Sequence, residues 1–421
     1  MTIPSVRGMK DILPPESARW AELESTFLAH AARFGFREIR TPILEKTELF
    51  SRAVGETTDI VEKEMYSFTD RSGESLTLRP EGTAPVVRAL LAHRSELGEW
   101  PVRLSYSGPM FRHERPQKGR LRQFHQFGAE LLGTDSPHAD VEILVFLAGF
   151  LAGAGLSGVS LEMNSLGDPA CRPGHHRNLS DFLASREGRL CDDCRRRRVL
   201  NPLRVLDCKN ENCIEATAGA PSILDSLREG CRLHFEAVEK GLAAAGVPFS
   251  RNPRMVRGLD YYRRTTFEFV IPGMGAQNTV AAGGRYDGLA EMLGGKENIP
   301  AIGFAIGVER LIMLLGKNGG ATKEAEVFLV TSHPRFLDEA FLWKMDLIGK
   351  GVRAEMDYEG RSVKSQFRRA DRSGAKDVVV FGEAEDSRGA VVLRDMAAGT
   401  QEEVSRDEAM RRLTRLVKKE E

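Results

Sequence analysis

The sequence predicts an α+β protein whose main domain is an antiparallel β-sheet flanked by helices, with a helical insertion and a small α/β domain at the carboxyl end. Three patterns carry this prediction. Strand-like stretches at 102–110 and 123–130 enclose a basic, turn-prone segment, which is typical of a long hairpin. Residues 168–247 are charged, cysteine-containing and helix-rich, without a clear strand. Beyond residue 326, strands alternate with helices, which indicates a largely parallel sheet.

These patterns divide the 421 residues into predicted domains, because a chain of this length exceeds one typical core. The segments are residues 1–167 and 248–318 for the two parts of the main domain, 168–247 for the insertion, and 326–421 for the carboxyl-terminal domain. A glycine-containing run at 316–320 is predicted to be the linker.

The remaining elements of the main domain follow from local patterns. A helix is predicted at 16–34, ending at Gly35, and a strand at 36–42 runs into Pro42. The other predicted strands lie at 63–69, 75–79, 159–163, 266–271 and 279–283, the helices at 81–97 and 286–293, and a last strand–helix pair at 301–315.

Composition limits the classes of protein that the chain can represent. Lys and Arg together number 60, as do Asp and Glu, so any contact with nucleic acid must come from local patches. The longest apolar run, 143–156, is shorter than the roughly 20 residues that span a bilayer. The start shows no secretory signal, and six cysteines in so long a chain do not indicate a disulfide scaffold. We expect a cytoplasmic protein.

The tip of the predicted hairpin carries five cations between Arg112 and Arg122. Arginine suits phosphate because its planar guanidinium donates two charge-assisted hydrogen bonds at once. The segment therefore favours phosphate or RNA binding, and a solvated turn is the alternative.

A second segment, GFAIGVERL at 303–311, runs from a predicted strand into a helix. Its glycines would let a flat ligand approach the backbone, and Arg310 would emerge in the first turns of the helix. Taken alone, the pattern is better explained by close packing of the strand against the helix.

Together, in this order and separated by an insertion, the two segments resemble motifs 2 and 3 of class II aminoacyl-tRNA synthetases. Pro42 matches the proline that ends motif 1 at the dimer interface of that family. No Gly-x4-Gly-Lys-Ser/Thr loop is present, and no Gly-x-Gly-x-x-Gly segment opens a helix. The resemblance implies a class II catalytic fold, a carboxyl-terminal anticodon-binding domain and a homodimer.

Further peptides indicate which amino acid is used. VRGLDYY at 256–262 and AGGRYDGL at 282–289 resemble the two peptides characteristic of histidyl-tRNA synthetases. LTLRPEGT at 76–83 and RGMKD at 7–11 match as well, so the resemblance covers essentially the whole chain. It implies an enzyme that activates histidine with ATP and Mg²⁺ and transfers it to tRNA-His.

The resemblance also implies roles for individual residues. Arg257 would be the main catalytic cation and would hold the α-phosphate together with Arg112. The implied ATP-binding residues are Arg112, Glu114 and Arg310. The implied histidine-binding residues are Glu81, Thr83, Gln126, Glu130, Arg257, Tyr261, Tyr262 and Tyr286. Arg115, Gln117, Arg120 and Arg122 would contact tRNA.

Without the family match, Glu130 and Tyr262 would be read as ordinary sheet residues with satisfied partners. Basic residues also crowd the predicted helix at 363–372 and its approach, where backbone phosphates are one reasonable partner and solvent is another. They are Arg361, Lys364, Arg368, Arg369 and Arg372.

Four of the six cysteines cluster in the predicted insertion, as Cys191-x2-Cys194 and Cys208-x4-Cys213. This spacing is compatible with a tetrahedral zinc site, and a metal would help a segment with little apolar material to fold. Free thiols are the alternative.

Two rival functions share the resemblance. The first is the synthetase-like regulatory subunit of ATP phosphoribosyltransferase, which usually lacks the anticodon domain and parts of the motifs. The second is a class II-derived RNA-binding or signalling module without aminoacylation. The presence of Arg112, Arg257 and Arg310, together with a carboxyl-terminal domain, favours the enzyme.

Overall fold

The computed structural model describes residues 3–55, 58–117, 119–272, 278–316 and 325–415. The chain forms two compact units, Met1–Asn318 and Gly319–Glu421. Beyond Gly316, the predicted linker lies outside the described residues.

The elements of the first unit match the predicted order. Its strands are β1 (Arg37–Glu38), β2 (Leu44–Lys46), β3 (Tyr66–Thr69), β4 (Ser75–Leu78), β5 (Val102–Phe111), β6 (Gln123–Leu132), β7 (Ser160–Ser165), β8 (Phe249–Arg251), β9 (Arg263–Val270), β10 (Thr279–Arg285) and β11 (Ala301–Gly307). Its helices are α1 (Glu16–Arg33), α2 (Thr47–Val54), α3 (Thr83–Ala92), α4 (Pro137–Gly153), α5 (Arg172–Ala184), α6 (Asp192–Leu200), α7 (Glu211–Ala216), α8 (Glu229–Ala244), α9 (Leu289–Met292) and α10 (Val308–Leu315).

The main sheet has the strand order β1-β5-β6-β11-β10-β9-β7-β8. Neighbours from β5 to β7 are antiparallel, as predicted, whereas β1 pairs with β5 and β8 with β7 in parallel. A parallel neighbour requires a long crossover. The helical segments between β7 and β8 supply one, so the sheet is mixed at its edges and antiparallel in its centre.

One face of this sheet is covered by α1, α4 and α8. The rings of Phe27 on α1 and Phe127 on β6 stack at 4.8 Å, and Phe150 on α4 meets Phe27 at 5.3 Å. The apolar run at 143–156 is therefore a buried helix. No helix among the described residues is long and apolar enough to cross a membrane.

The predicted insertion is helical, and its last helix packs on the main sheet. Phe235, Val238 and Leu242 lie on one face of α8 and pack into the core beneath α4. The boundary at residue 247 stays a prediction.

Several predicted elements are shorter in the structure. The strand expected at 36–42 is reduced to β1, and the helix expected at 286–293 to the single turn of α9. The helix expected at 81–97 begins only at Thr83, because the Glu81 carboxylate accepts the backbone N–H groups of Thr83 and Ala84 at 2.9 and 2.8 Å. Residues 44–46, 66–69 and 75–78 form a separate antiparallel sheet, ordered β2-β4-β3.

The second unit is an α/β domain. Its strands are β12 (Val327–Thr331), β13 (Ala354–Met356), β14 (Asp377–Phe381), β15 (Ala390–Asp395) and β16 (Gln401–Ser405), and its helices are α11 (Leu337–Gly349), α12 (Val363–Ser373), α13 (Glu383–Asp386) and α14 (Arg406–Arg415). The strand order is β13-β12-β14-β15-β16. The first three strands are parallel, as predicted, and a hairpin beyond residue 381 adds two antiparallel strands.

Candidate active site

A cleft of about 270 Å³ opens on the first unit, and cations from three distant parts of the chain line it. Arg112 follows β5, Arg257 precedes β9 and Arg310 lies in the first turn of α10. The fold therefore brings together the three guanidinium groups that the sequence analysis assigned to one site.

A chain of contacts joins Arg257 to Arg310. The Arg257 guanidinium donates to one oxygen of Glu268, and Thr279 donates to the other at 2.8 Å. The Thr279 carbonyl in turn accepts a hydrogen bond from Arg310. Burial is the largest influence on Arg257 and opposes its charge, but the Glu268 carboxylate together with Tyr262 and Tyr261 outweighs it, so the pKa of Arg257 is raised. These contacts fix both guanidinium groups at the cleft.

Arg112 is positioned by the hairpin from which it projects. Its Nε donates to the Pro80 carbonyl at 2.9 Å, and its guanidinium carbon lies 5.2 Å from the centre of the Phe124 ring. Beside it, the Arg120 guanidinium contacts the buried carboxylate of Glu114. The segment predicted to bind phosphate therefore directs Arg112 and Arg120 toward the cleft.

The hairpin is also fastened to α10. Both carboxylate oxygens of Glu309 accept the backbone N–H of His125 at 2.9 Å, and the His125 ring lies 3.0 Å from the same group. A Cβ added at Gly119 would meet the Met313 side chain at 3.4 Å. The loop and the Arg310 helix consequently share one wall of the cleft.

A buried carboxylate lies beneath the other end of the cleft. Glu130 is fully buried, accepts a hydrogen bond from the Thr83 hydroxyl at 2.7 Å, and receives a second from the Tyr286 hydroxyl. The partner strand makes room for it at Gly303, where an added Cβ would stand 1.6 Å from a Glu130 oxygen. This close approach is the reason for glycine at residue 303.

Three tyrosines surround this carboxylate. The Tyr261 ring lies 4.7 Å from Tyr262 and 5.7 Å from Tyr286, and the Tyr261 hydroxyl reaches Glu81 at 3.4 Å. Tyr261 and Tyr262 line the cleft, whereas Tyr286 lies behind Glu130. Burial raises the pKa of each tyrosine, which keeps all three hydroxyls protonated as hydrogen-bond donors.

Tyr286 is held from below by a buried ionic cluster. Arg285, which is fully buried, donates to Asp140 at 2.7 Å and to Asp287 at 2.8 Å. Its remaining nitrogen donates to the carbonyls of Thr134 and Ser136. The peptide that carries Tyr286 therefore has little freedom to move.

Two polar side-chain atoms at the cleft have neither a hydrogen bond nor an ionic contact within the described part of the chain. They are the side-chain oxygen of Gln126 and the Nε of Arg257, and both are buried. Because buried polar groups are rarely left unpaired, both atoms are well suited to bind a ligand.

The residues assigned to tRNA lie on the hairpin loop, and of these Arg120 also lines the cleft. Gln117 and Arg120 exchange backbone hydrogen bonds at 3.0 and 2.9 Å, which forms the tip of the hairpin. Arg115 is exposed, and Arg122 is half-buried. The backbone N–H of Arg122 donates to the Gly8 carbonyl at 2.8 Å. The amino-terminal peptide at 7–11 thus supports this loop.

A sequence model of the family described as histidyl-tRNA synthetase matches residues 8–311. The chain belongs to the histidyl-tRNA synthetase family. A model described as an anticodon-binding domain matches residues 326–416, which form most of the second unit. Membership implies an aminoacyl-tRNA ligase that uses ATP.

Curated relatives and solved structures agree with this membership. The histidine–tRNA ligase of Trichlorobacter lovleyi is 52% identical over 404 residues, which are 96% of each chain. The crystal structure of apo histidyl-tRNA synthetase from S. aureus has a TM-score of 0.83 at 34% identity and covers 98% of this chain and 100% of its own.

The comparisons also bear on the regulatory-subunit alternative. A Bacillus halodurans C structure titled as an ATP phosphoribosyltransferase regulatory subunit/histidyl-tRNA synthetase has a TM-score of 0.62 at 22% identity, over 90% of this chain and 98% of its own. At this identity the match shows a shared fold alone. The relative that is about half identical over nearly its whole length supports the synthetase instead.

In this member of the synthetase family, the four clustered cysteines converge. The sulfurs of Cys191, Cys194, Cys208 and Cys213 all lie within 4.8 Å of one another, and Cys191 and Cys208 are 3.9 Å apart. Zn–S bonds of about 2.3 Å in a tetrahedron require sulfurs about 3.8 Å apart. None of the six cysteines forms a disulfide. The donor set and its spacing therefore fit zinc.

Sequence reasoning missed two acidic residues that organise this synthetase site. Glu268 pairs with Arg257, and Glu309 fastens the hairpin to α10. Glu268 stands alone in the apolar strand TTFEFV, and a lone carboxylate in such a strand is a signal that could have identified it. Glu309 directly precedes Arg310 and gave no comparable signal.

The Glu130 carboxyl makes the stability of the unliganded protein depend on pH. Burial raises its pKa from 4.5 to about 8, so the folded chain retains a proton that the unfolded chain loses. Stability should therefore fall as the pH rises from about 5 to about 8. We expect Glu130→Gln to be less affected, with a difference on the order of a few kcal/mol at the upper end. Thermal melting of both proteins across this range measures it, and parallel pH profiles would contradict the shift.

Proposed function

We propose that the chain activates L-histidine with ATP to give histidyl-adenylate and pyrophosphate, and then transfers histidine to the 3′ end of tRNA-His. The observation that carries this proposal is the convergence of Arg112, Arg257 and Arg310 on one cleft that has buried carboxylates at its other end. Guanidinium groups suit the phosphates of ATP, and buried acceptors suit the ammonium and imidazole groups of histidine.

In the first step, the histidine carboxylate attacks the α-phosphorus and pyrophosphate leaves. Both reactants are anionic, so fixed cations must offset their repulsion and the charge that grows in the transition state. Arg257 and Arg112 are proposed to hold the α-phosphate from two sides, and Arg310 to hold the far end of the triphosphate. Glu268 keeps Arg257 oriented without entering the reaction.

Mg²⁺ fits the donors present, because the carboxylates of Glu114 and Glu309 line the same cleft and oxygen is its preferred ligand. When bound, Mg²⁺ supplies charge neutralisation on the phosphates. Glu114 also restrains Arg120, so we assign it to the ATP side of the site.

For histidine, Glu81, Thr83 and Gln126 are proposed to hold the amino and carboxylate ends. Glu130 and Tyr262 are proposed to hydrogen-bond the imidazole, with Tyr261 and Tyr286 fixing the walls. Such buried polar partners would reject an amino acid that left them unpaired, by roughly 10⁴ to 10⁵.

Two assays on one preparation test this function. Histidine-dependent exchange of pyrophosphate into ATP reports activation, and charging of tRNA-His transcript with labelled histidine reports transfer. A regulatory subunit or a plain RNA-binding module would give neither signal. Absence of exchange in correctly folded protein would refute the proposal.

The loop residues Arg115, Gln117, Arg120 and Arg122 are proposed to contact the acceptor end of tRNA-His and to read its extra 5′ guanosine. Arg115 and Gln117 are exposed at the tip, which suits contact with a large ligand. Arg120 lies nearer the cleft and would sense both the tRNA end and the nucleotide.

The second unit is proposed to bind the anticodon arm through α12. Of the five basic residues predicted there, Arg361 and Arg369 are tied to the carboxylate of Asp357. The other three have exposed side chains and form no ion pair within residues 325–415. They are Lys364, Arg368 and Arg372. These three are therefore the best candidates for phosphate contacts.

We expect simultaneous replacement of Lys364, Arg368 and Arg372 by alanine to raise the KM for tRNA-His about tenfold or more. The reason is that each cation lost removes a phosphate contact and the release of a counterion. The salt dependence of that KM should become shallower. Charging assays at several salt concentrations measure both effects.

A matched control removes three exposed cations of the same unit that already have carboxylate partners. They are Arg335, Lys350 and Arg388, paired with Asp386, Asp346 and Glu403. Equal changes in the two triple variants would contradict a specific role for α12. Pyrophosphate exchange should be unaffected in both.

We also propose a cytoplasmic homodimer. Beside Pro42, the apolar side chains of Ile43 and Leu44 are exposed on the single chain, as residues of a subunit interface would be. Sedimentation of the purified protein at micromolar concentration tests the assembly, and a monomer would contradict it.

We propose, finally, that the four-cysteine cluster holds one structural zinc ion. The alternative, free thiols, predicts four titratable sulfhydryls and no metal. Metal analysis of protein purified without chelator distinguishes the two.

A further inference from the structure

The two helices that carry Cys194 and Cys213 have few buried apolar residues. Helix α6 has the sequence DDCRRRRVL, and Cys194 is its buried residue. In α7 the buried residues are Cys213 and Ala216. The sulfurs, rather than a hydrophobic face, thus bring these two helices together. We name residues 191–217 the cysteine knuckle.

The cysteine knuckle contacts the backbone of the catalytic arginine. Arg204 lies four residues before Cys208, and its Nη1 donates to the Arg257 carbonyl at 2.9 Å. Its second terminal nitrogen lies 3.5 Å from the carbonyl of Gly258. A guanidinium group therefore bridges two successive carbonyls at the residue whose side chain faces the cleft.

A second arginine fixes the same peptide from its other side. Arg254 donates to the backbone carbonyl of Thr217 at 2.9 Å and to its hydroxyl at 2.8 Å. That hydroxyl donates in turn to the carbonyl of Cys213 at 2.8 Å. A further contact joins Arg254 to the Leu206 carbonyl at 3.4 Å. Residues 254–258 are thus held at both ends by groups adjacent to the cysteines.

We infer that the cysteine knuckle, closed by zinc, is a positioning element for Arg257, acting through Arg204 and Arg254. The inference rests on the proposed function, because it assigns the knuckle a part in histidine activation. Arg204 does not line the cleft. It acts by fixing the backbone from which Arg257 reaches the phosphate.

The shared core supports this coupling. Leu203 and Leu206 of the knuckle belong to the same buried cluster as Val256, Tyr261 and Tyr262. A displacement of the knuckle would therefore move the peptide that carries both the catalytic cation and the histidine-pocket tyrosines. A shift of about 1 Å at a reacting group can cost about a hundredfold in rate.

The first test is Arg204→Ala. We expect kcat for histidine-dependent pyrophosphate exchange to fall about ten- to a hundredfold, with the KM for ATP little changed and the zinc content unaltered. Arg204→Lys should recover part of the rate, because an ammonium can still donate to one of the two carbonyls. If Arg204 served folding alone, Arg204→Ala would lower the amount of active enzyme. The partial recovery of the rate in Arg204→Lys would then not be seen.

The second test removes a metal ligand. Cys208→Ser should lose zinc, lower kcat in the same way, and increase amide hydrogen exchange at residues 254–260. Because loss of a metal ligand can prevent folding, wild-type protein treated with a zinc chelator is measured in parallel. Lys209→Ala is the matched control, since Lys209 is exposed and, among the described residues, forms its ion pair with Asp207.

Normal exchange kinetics in Arg204→Ala would overturn the inference, as would zinc-free protein with full activity and unchanged hydrogen exchange at 254–260. Both outcomes leave the wild-type activity in place. Failure of wild-type protein to catalyse exchange would instead refute the proposed function, so the two failures are distinguishable.

Discussion

Replacing Arg257 with alanine is expected to lower histidine-dependent pyrophosphate exchange about 10³-fold. A preorganised donor that stabilises transition-state charge contributes about 10² to 10³ in rate. Arg257 also balances the partly buried Glu268 carboxylate, so its loss leaves an unpaired anion beside the phosphates. Arg257→Lys should fall in between, because it keeps the charge but not the planar pair of donors.

Circular dichroism and thermal melting should show that Arg257→Ala remains folded. Arg251→Ala is a suitable control, because Arg251 lies six residues earlier, is exposed and pairs with Glu239. Arg251 does not line the cleft, so exchange should stay near normal. Near-normal exchange in Arg257→Ala itself would show that another group carries the phosphate chemistry.

Replacing Glu130 with alanine is expected to raise the KM for histidine about 10²-fold with little change in the KM for ATP. Leaving a buried polar group without its partner costs about 1 to 3 kcal/mol, and two hydroxyls, from Thr83 and Tyr286, would lose their shared acceptor. The effect should be confined to the amino-acid side, because the hydrogen-bond partners of Glu130, Thr83 and Tyr286, are both assigned to the histidine pocket.

Steady-state exchange kinetics with histidine and ATP varied separately measure this prediction. Glu130→Gln preserves the shape and one acceptor oxygen, so a smaller rise is expected. An equal loss of affinity for both substrates in Glu130→Ala would indicate general damage to the fold, and an unchanged histidine KM would remove Glu130 from the pocket.

Much of the fold follows from local patterns because hairpins and amphipathic helices are specified by neighbouring residues. The predicted strands at 102–110 and 123–130 correspond to β5 and β6, since alternation and the turn-prone basic tip are both local features. Strand 36–42 fails for a tertiary reason. The ladder with β5 comprises Arg37 and Glu38 and ends with the hydrogen bond from the Ile39 N–H to the Ser105 carbonyl at 2.8 Å, and proline cannot donate to a ladder.

The site is less predictable than the fold, because its contacts join residues far apart in the chain. The three cationic residues are prominent in motifs, and the sequence identifies them. The sequence does not identify the residues that hold these cations in place. Glu268, for example, meets Thr279 only through the pairing of β9 with β10. The hydrogen bond from Arg204 to the carbonyl of residue 257 likewise depends on how the insertion packs against the main domain. No local sequence pattern encodes that packing.

The long hairpin of β5 and β6 has a consequence for redesign. Ten residue pairs fix its register, and Glu130 lies eight residues from Arg122, which is about 26 Å along an extended strand. Exchanging the tip alone would therefore leave the amino-acid pocket in place. The hairpin carries the proposed tRNA contacts at its tip and the proposed histidine contact, Glu130, far from the tip. An orthogonal enzyme–tRNA pair could therefore be built by altering only the tip of the hairpin.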